Sequence, residues 1–278
     1  MTPDRRHRFI SLPAAPGYLV RRWPGGLGAM QRVGFSRPCR RRDLVAISGW
    51  AGLPFGRRSG GRAIRGVSSL AVSRLMTAAA RRISGNHYHQ PGHYAHVVMA
   101  AGILAEAANL SSADRAILVM AALVHDLDHH GRRSPRRLYA QERWSASRVR
   151  QILGGAGADI RMASRMEQLI LATAINDDAL RLTILAADPL ARLLADADLF
   201  GSVFYRRDIA LGMTRTLKLE QGLKGAPEQL LAQFAAHVEH EGLQSGTGRR
   251  LYVALAASRR SSQNTVDHEE WNELSNLL

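Results

Sequence analysis

A chain of 278 residues with 46% hydrophobic side chains is long enough to bury a sizeable core in one or two domains. Its single cysteine, Cys39, excludes an internal disulfide framework and fits a reducing, cytoplasmic compartment. The longest apolar stretch, Val97 to Leu110, is broken by Glu106 and Asn109. It falls short of the roughly 18 uninterrupted apolar residues that a membrane span needs. The net charge of +15 is local. Residues 1–82 hold 17 arginines against two acids, Asp4 and Asp43, while the rest carries 21 basic and 21 acidic side chains.

Residues 1–62 are rich in Arg, Pro and Gly without a sustained period, as in Arg-Pro-Cys-Arg-Arg-Arg at 37–42. They read as a basic, disordered extension. Three roles compete for it. The first is no function at all, as a tail or through a start assigned too early, with Met76 as the alternative start. The second is contact with nucleic acid or a membrane surface through its arginines. The third is a targeting presequence.

From 63 to 278 the pattern is helical. Ile64, Val67, Leu70, Ala71, Leu75, Ala78 and Ala79 recur at spacings of three and four, predicting a helix over 63–83. Pro91-Gly92 reads as a turn, and a helix is predicted from His93 to Ala108. Ser111 or Ser112 caps a central helix, with Asp114 near its positive end. Further helices are predicted over 138–153, 158–175, from Asp188-Pro189 to Phe200, on to Lys218, over 227–241 and over 249–258. An acidic tail, 267–278, closes the chain. No strand alternation stands out, so the expected class is all-α.

The central helix is apolar on every side from Ala116 to Val124 and ends in His125-Asp126-Leu127-Asp128-His129-His130-Gly131. Burying two imidazoles and two carboxylates costs several kcal/mol each unless something pairs with them. A metal ion is the simplest such partner. A second cluster lies upstream, His87-Tyr88-His89-Gln90-Pro91-Gly92-His93, with His96 beyond it. Downstream, Leu190, Leu194 and Asp198 are four apart on one helix, and Asp196 points about 200° away from Asp198. Helical geometry therefore selects Asp198 over Asp196 as the inward carboxylate.

Tyr88-His89-Gln90-Pro91-Gly92-His93 and His125-Asp126-Leu127-Asp128-His129-His130-Gly131, with Ala197-Asp198-Leu199, together resemble the HD superfamily of metal-dependent phosphohydrolases. Within it they look like class I 3',5'-cyclic-nucleotide phosphodiesterases, over residues 86–200. The resemblance implies an all-α, HD-domain helical bundle. It implies a first metal held by His93, His125, Asp126 and Asp198, with Asp126 bridging to a second. Zinc, manganese or iron suits the first site, and magnesium or manganese a water-rich second one. Hydrolysis of a phosphoester, by attack of a metal-bound hydroxide, is the implied reaction. A small nucleotide or phosphoester is the implied substrate.

The family's general acid falls on His89, with His87 beside it as a rival. His129 would orient the nucleophile, and Asp128 would support the site. Gln90 replaces the family's Asn, His96 replaces an Asp, and no counterpart of its nucleotide-clamping Gln and Phe is found. Phosphoester hydrolysis is thus better supported than a cyclic-nucleotide substrate. Alternatives are an HD hydrolase of another phosphoester, or a non-catalytic HD-fold sensor or scaffold.

Overall fold

Two helices that are apolar on almost every side form the middle of the fold. The computed structural model describes residues 38–53, 66–130, 139–174, 179–204 and 207–253. These are all-helical, with no strand among them. In chain order the helices are α1 (Arg41–Ala51), α2 (Ser69–Ala79), α3 (Pro91–Ala107), α4 (Ser112–Val124), α5 (Ala140–Gly154) and α6 (Ile160–Leu171). They continue as α7 (Ala179–Ala187), α8 (Pro189–Phe204), α9 (Arg207–Gln221) and α10 (Pro227–Glu241), and a last helical segment covers 246–253. None is long and apolar enough to cross a membrane.

α3 buries nearly every residue from Pro91 to Ala105, and α4 buries all of Ala116 to Val124. Such helices are stable only inside a layer of others. α3 packs against α1, α4 and α8, and α5 packs against α6. Local chemistry sets the starts of α4 and α8 as the sequence predicts. The Ser111 hydroxyl accepts from the Asp114 amide at 3.1 Å, and the Asp188 carboxylate accepts from the Leu190 amide at 2.8 Å.

Three readings need correction. α3 begins at Pro91 rather than His93, because Pro pre-sets a helical φ and has no N–H to leave unbonded. α7, between 178 and 188, was not expected; it is short and precedes the stronger Asp-Pro start signal. The largest difference is α1, which lies inside the stretch read as a disordered extension. Leu44, Ile47, Ala51 and Leu53 are all at most 1% exposed. Gly102 of α3 lets α1 approach closely: a Cβ there would lie 2.9 Å from that of Ala51. Gly52, at φ 110°, ends α1 in a left-handed turn that only glycine adopts cheaply. The remainder of the extension (1–37 and 54–62), positions 63–65 of the first predicted helix, Arg132 to Arg137, Asn176 to Asp178 and the acidic tail lie outside the described residues.

Candidate metal centre

α3, α4 and α8 each deliver part of one cluster. His93 sits in the first turn of α3, His125 and Asp126 follow the last turn of α4, and Asp198 lies on α8. His125 Nε2 is 3.0 Å from Asp126 Oδ2, 3.3 Å from Asp198 Oδ1 and 3.2 Å from His93 Nε2. His93 Nε2 is 3.2 Å from Asp126 Oδ2 and 3.4 Å from Asp198 Oδ1. These four residues can hold a metal ion.

Donor accounting supports that fit. His125 Nδ1 lies 2.9 Å from the Ala122 carbonyl, which can only accept, so Nδ1 carries the proton and Nε2 of the neutral ring is a lone pair. That lone pair faces two carboxylate oxygens and another imidazole nitrogen. Only a cation, a proton or a metal, reconciles them. Ligands about 2.0–2.1 Å from a tetrahedral ion stand ~3.3 Å apart, which is the spacing seen. Without a metal, protons take its place. Burial pushes the His125 imidazole down, but Asp126 and Asp198 outweigh it and hold it well above its ordinary range. His93 is likewise raised against the burial that lowers it, by hydrogen bonds to the same carboxylates. Both carboxyls go the opposite way: burial raises them, and the His125 charge more than reverses it.

The turn after α4 aims the remaining groups. Asp128 adopts a left-handed φ of 57°, and the His129 amide donates to the Asp126 carbonyl at 3.0 Å. Tyr94 donates its hydroxyl to that carbonyl at 2.8 Å, fixing the Asp126 backbone. Asp128 turns away and accepts from Arg148 Nε at 3.1 Å. The ring of His129 stacks on His89, with centroids 3.8 Å apart and planes at 24°. His89 Nε2 is 3.6 Å from Asp126 Oδ2, so Asp126 borders both the four-residue cluster and the His89–His129 pair. His87 is exposed, whereas His89 is buried against the cluster.

Two acids near the site escaped the sequence reading. Glu220 of α9 accepts a short hydrogen bond from His89 Nδ1, and its other oxygen accepts from the amides of Tyr88 and His89 at 2.6 and 3.0 Å. Burial opposes its ionisation, but these partners hold its carboxyl at about 2. Glu142, in the first turn of α5, is raised by burial and by the charges of Asp126 and Asp198, so it feels the same centre. No sequence signal marks Glu220, because its partner is 131 residues away. Burial pulls His129 down to about 4, so it is neutral at pH 7.

The substituted motif positions have local roles. Gln90 Oε1 accepts from Arg82 Nε and Nη2 at 3.0 and 2.7 Å. His96 is buried with Nδ1 3.3 Å from Met213 Sδ. Asp196 is also fully buried, but on another face: it accepts from the Gln244 amide at 2.6 Å and the Ser245 amide at 2.9 Å. No protein-family model matches the chain, and no curated protein matches it.

Proposed function

We propose that this protein is a metal-dependent phosphohydrolase that cleaves a phosphoester, with a cyclic nucleotide as the first substrate to test. The observation that carries this reading is the convergence of four lone-pair atoms from three helices beside a histidine backed by a carboxylate. A divalent ion held by His93, His125, Asp126 and Asp198 would supply Lewis acidity toward phosphoryl oxygens and lower the pKa of a water to about 7. A second ion would be shared through Asp126 and completed mainly by water. His89 and His129 also offer ligand atoms there, within 4.8 Å of each other and of Asp126, and the proton-transfer role given to His89 would keep its Nε2 free of that ion.

The chain's own groups divide the proton work. Glu220 accepts Nδ1–H of His89 and so fixes that ring with Nε2 toward Asp126. His89 is thereby positioned to hand a proton from Nε2 to a departing alkoxide. His129 stays neutral and holds the His89 ring in place by stacking. Asp126, anchored by Tyr94, fixes the distance between the metal ligands and the proton donor. The lone, buried Cys39 suits a reducing compartment, and the cytoplasm is the location proposed.

The test is hydrolysis of cyclic AMP, cyclic GMP and an aryl phosphodiester by the full chain with Mg, Mn or Zn, against Asp126→Ala. Turnover of a cyclic nucleotide that is lost in the variant supports the full reading. Turnover of the aryl diester alone keeps the reaction and moves the substrate. Bound metal with no turnover of any phosphoester overturns it.

A further inference from the structure

α1 and α2 gather an unopposed charge. Between positions 38 and 105 the only acid is Asp43. The described residues of that stretch include six arginines, Arg40, Arg41, Arg42, Arg74, Arg81 and Arg82, and all six are exposed. None of them belongs to the metal cluster. Two contacts bring them to one face. α1 packs on α2, where Arg41 Nη2 reaches Ser73 Oγ at 3.5 Å, beside Arg74. Pro38 and Cys39, just before Arg40, line one cavity with Arg82, so the start of α1 lies next to the chain leaving α2.

The groups that hold these guanidiniums are neutral oxygens. Arg74 donates to the Gly155 carbonyl, and Arg82 donates to Gln90 Oε1 at 3.0 and 2.7 Å. Asp43 caps its own helix, accepting from the Arg40 amide at 2.8 Å. Arginine–carboxylate pairs form at Arg148, Arg150, Arg165 and Arg215, and among the described residues none engages the six. Like charges within the Debye length, about 8 Å at physiological salt, repel one another. The exposed neighbours on α2, Ser73 and Thr77, add no opposite charge. A polyanion would relieve that repulsion, and neutral anchors leave the guanidinium charge available to it.

Nucleic acid and an anionic membrane both carry such charge, and α2 favours the first. A helix that lies in a membrane surface turns its apolar face outward. α2 buries Ala71, Val72, Leu75, Met76 and Ala79 in the core, and of its large apolar side chains exposes only Leu70. Arginine also presents a planar fork that meets phosphate oxygens in pairs. We propose that the α1–α2 face binds the phosphodiester backbone of a nucleic-acid duplex through these six arginines. Phosphate contacts of this kind fix position and affinity without reading sequence.

The test follows the fluorescence anisotropy of a labelled DNA duplex of random sequence with the full chain, between about 50 and 200 mM salt. A chelator is present, so that no metal-dependent hydrolysis intervenes. Logarithmic affinity falls with logarithmic salt by roughly 0.9 for each phosphate contact. The triple variant Arg40→Gln, Arg42→Gln, Arg81→Gln should therefore flatten the slope by ~2.7, so that the parent loses about 40-fold more affinity than the variant over that range. Substitutions at such exposed positions leave the fold intact, and an unchanged thermal midpoint verifies it. The same charge change at exposed positions elsewhere, Arg150→Gln, Lys224→Gln, Arg250→Gln, should leave the slope unaltered. No binding, or equal flattening by both triples, overturns the proposal. So does duplex binding that the first triple leaves untouched, which would place the contact on other arginines. Sedimentation with phosphatidylserine vesicles that falls in the first triple, while duplex binding does not, also overturns it and assigns the face to a membrane.

Discussion

Asp196 and Asp198 stand two residues apart on α8 and serve different parts of the molecule. Asp198 Oδ1 joins the imidazoles of His93 and His125, while Asp196 ties down the amides of Gln244 and Ser245. Gly248 fits against Asp196 only because it has no Cβ, which would lie 2.3 Å from Oδ2. The two carboxylates should therefore separate cleanly on substitution. Asp198→Asn should weaken zinc or manganese binding by more than about 100-fold, beyond the 10–100-fold typical of groups that only orient a ligand. Asp196→Ala should keep metal affinity within a few-fold but cost about 1–3 kcal/mol for each donor left unpaired. Calorimetric metal titration and urea unfolding of both variants check this; equal metal loss in the two would reassign the ligand.

Glu220 touches no metal ligand among the four but sets the ring that faces Asp126. Glu220→Gln should retain metal and lower kcat by roughly 10–100-fold. The alkaline limb of the rate profile should move as well, since a proton donor is lost as pH rises and the carboxylate on His89 Nδ1 is gone. Unchanged kcat and pH profile would remove His89 from the proton-transfer role.

The metal-free protein should lose stability on the alkaline side. His93 and His125 are raised in the fold above the ordinary 6.5, so the stability they contribute is fully present below pH 6.5. It is lost as pH rises through their folded values. His129 has the opposite sign: held at about 4, it costs stability as pH falls from 6.5 toward 4. Thermal midpoints of the chelated protein should fall on both sides of pH 6.5. Saturating zinc should remove the alkaline loss, because the ion replaces the protons. An alkaline limb that persists with metal bound would count against these two rings.

α1 should behave as part of the core. Leu44→Ala is expected to cost about 2–5 kcal/mol. Gly102→Val should cost roughly 1–3 kcal/mol, because its Cβ meets Ala51 and Trp50. Urea midpoints measure both. Costs below about 0.5 kcal/mol would detach α1 from the helical body.

What could be read from the sequence follows from the range of each signal. The α4 core is legible because nine successive apolar residues admit one interpretation. Asp198 is legible because helical angle and its spacing from Leu190 and Leu194 agree. The α1 stripe, Leu44, Ile47, Ser48 and Ala51, has helical spacing too, but the arginine runs on either side mask it. Glu220 and Glu142 are illegible for a different reason. Each is an ordinary acid on an ordinary helix until folding brings it to His89 or Asp126. His129 could be placed in the site from its motif, but not its stacking on His89, which depends on the left-handed turn at Asp128.

The cluster draws its four ligands from positions 93, 125, 126 and 198 of a chain with one cysteine. An ion gripping them would close loops of 32 and 72 residues, measured from 93 to 125 and from 126 to 198. Covalent bridges across loops of that size stabilise by on the order of 3–5 kcal/mol, through the restricted unfolded chain. Metal supply would then act on this protein as oxidation acts on a secreted one. A chelator would be its reducing agent, and starvation for the ion would be felt first as a less stable chain.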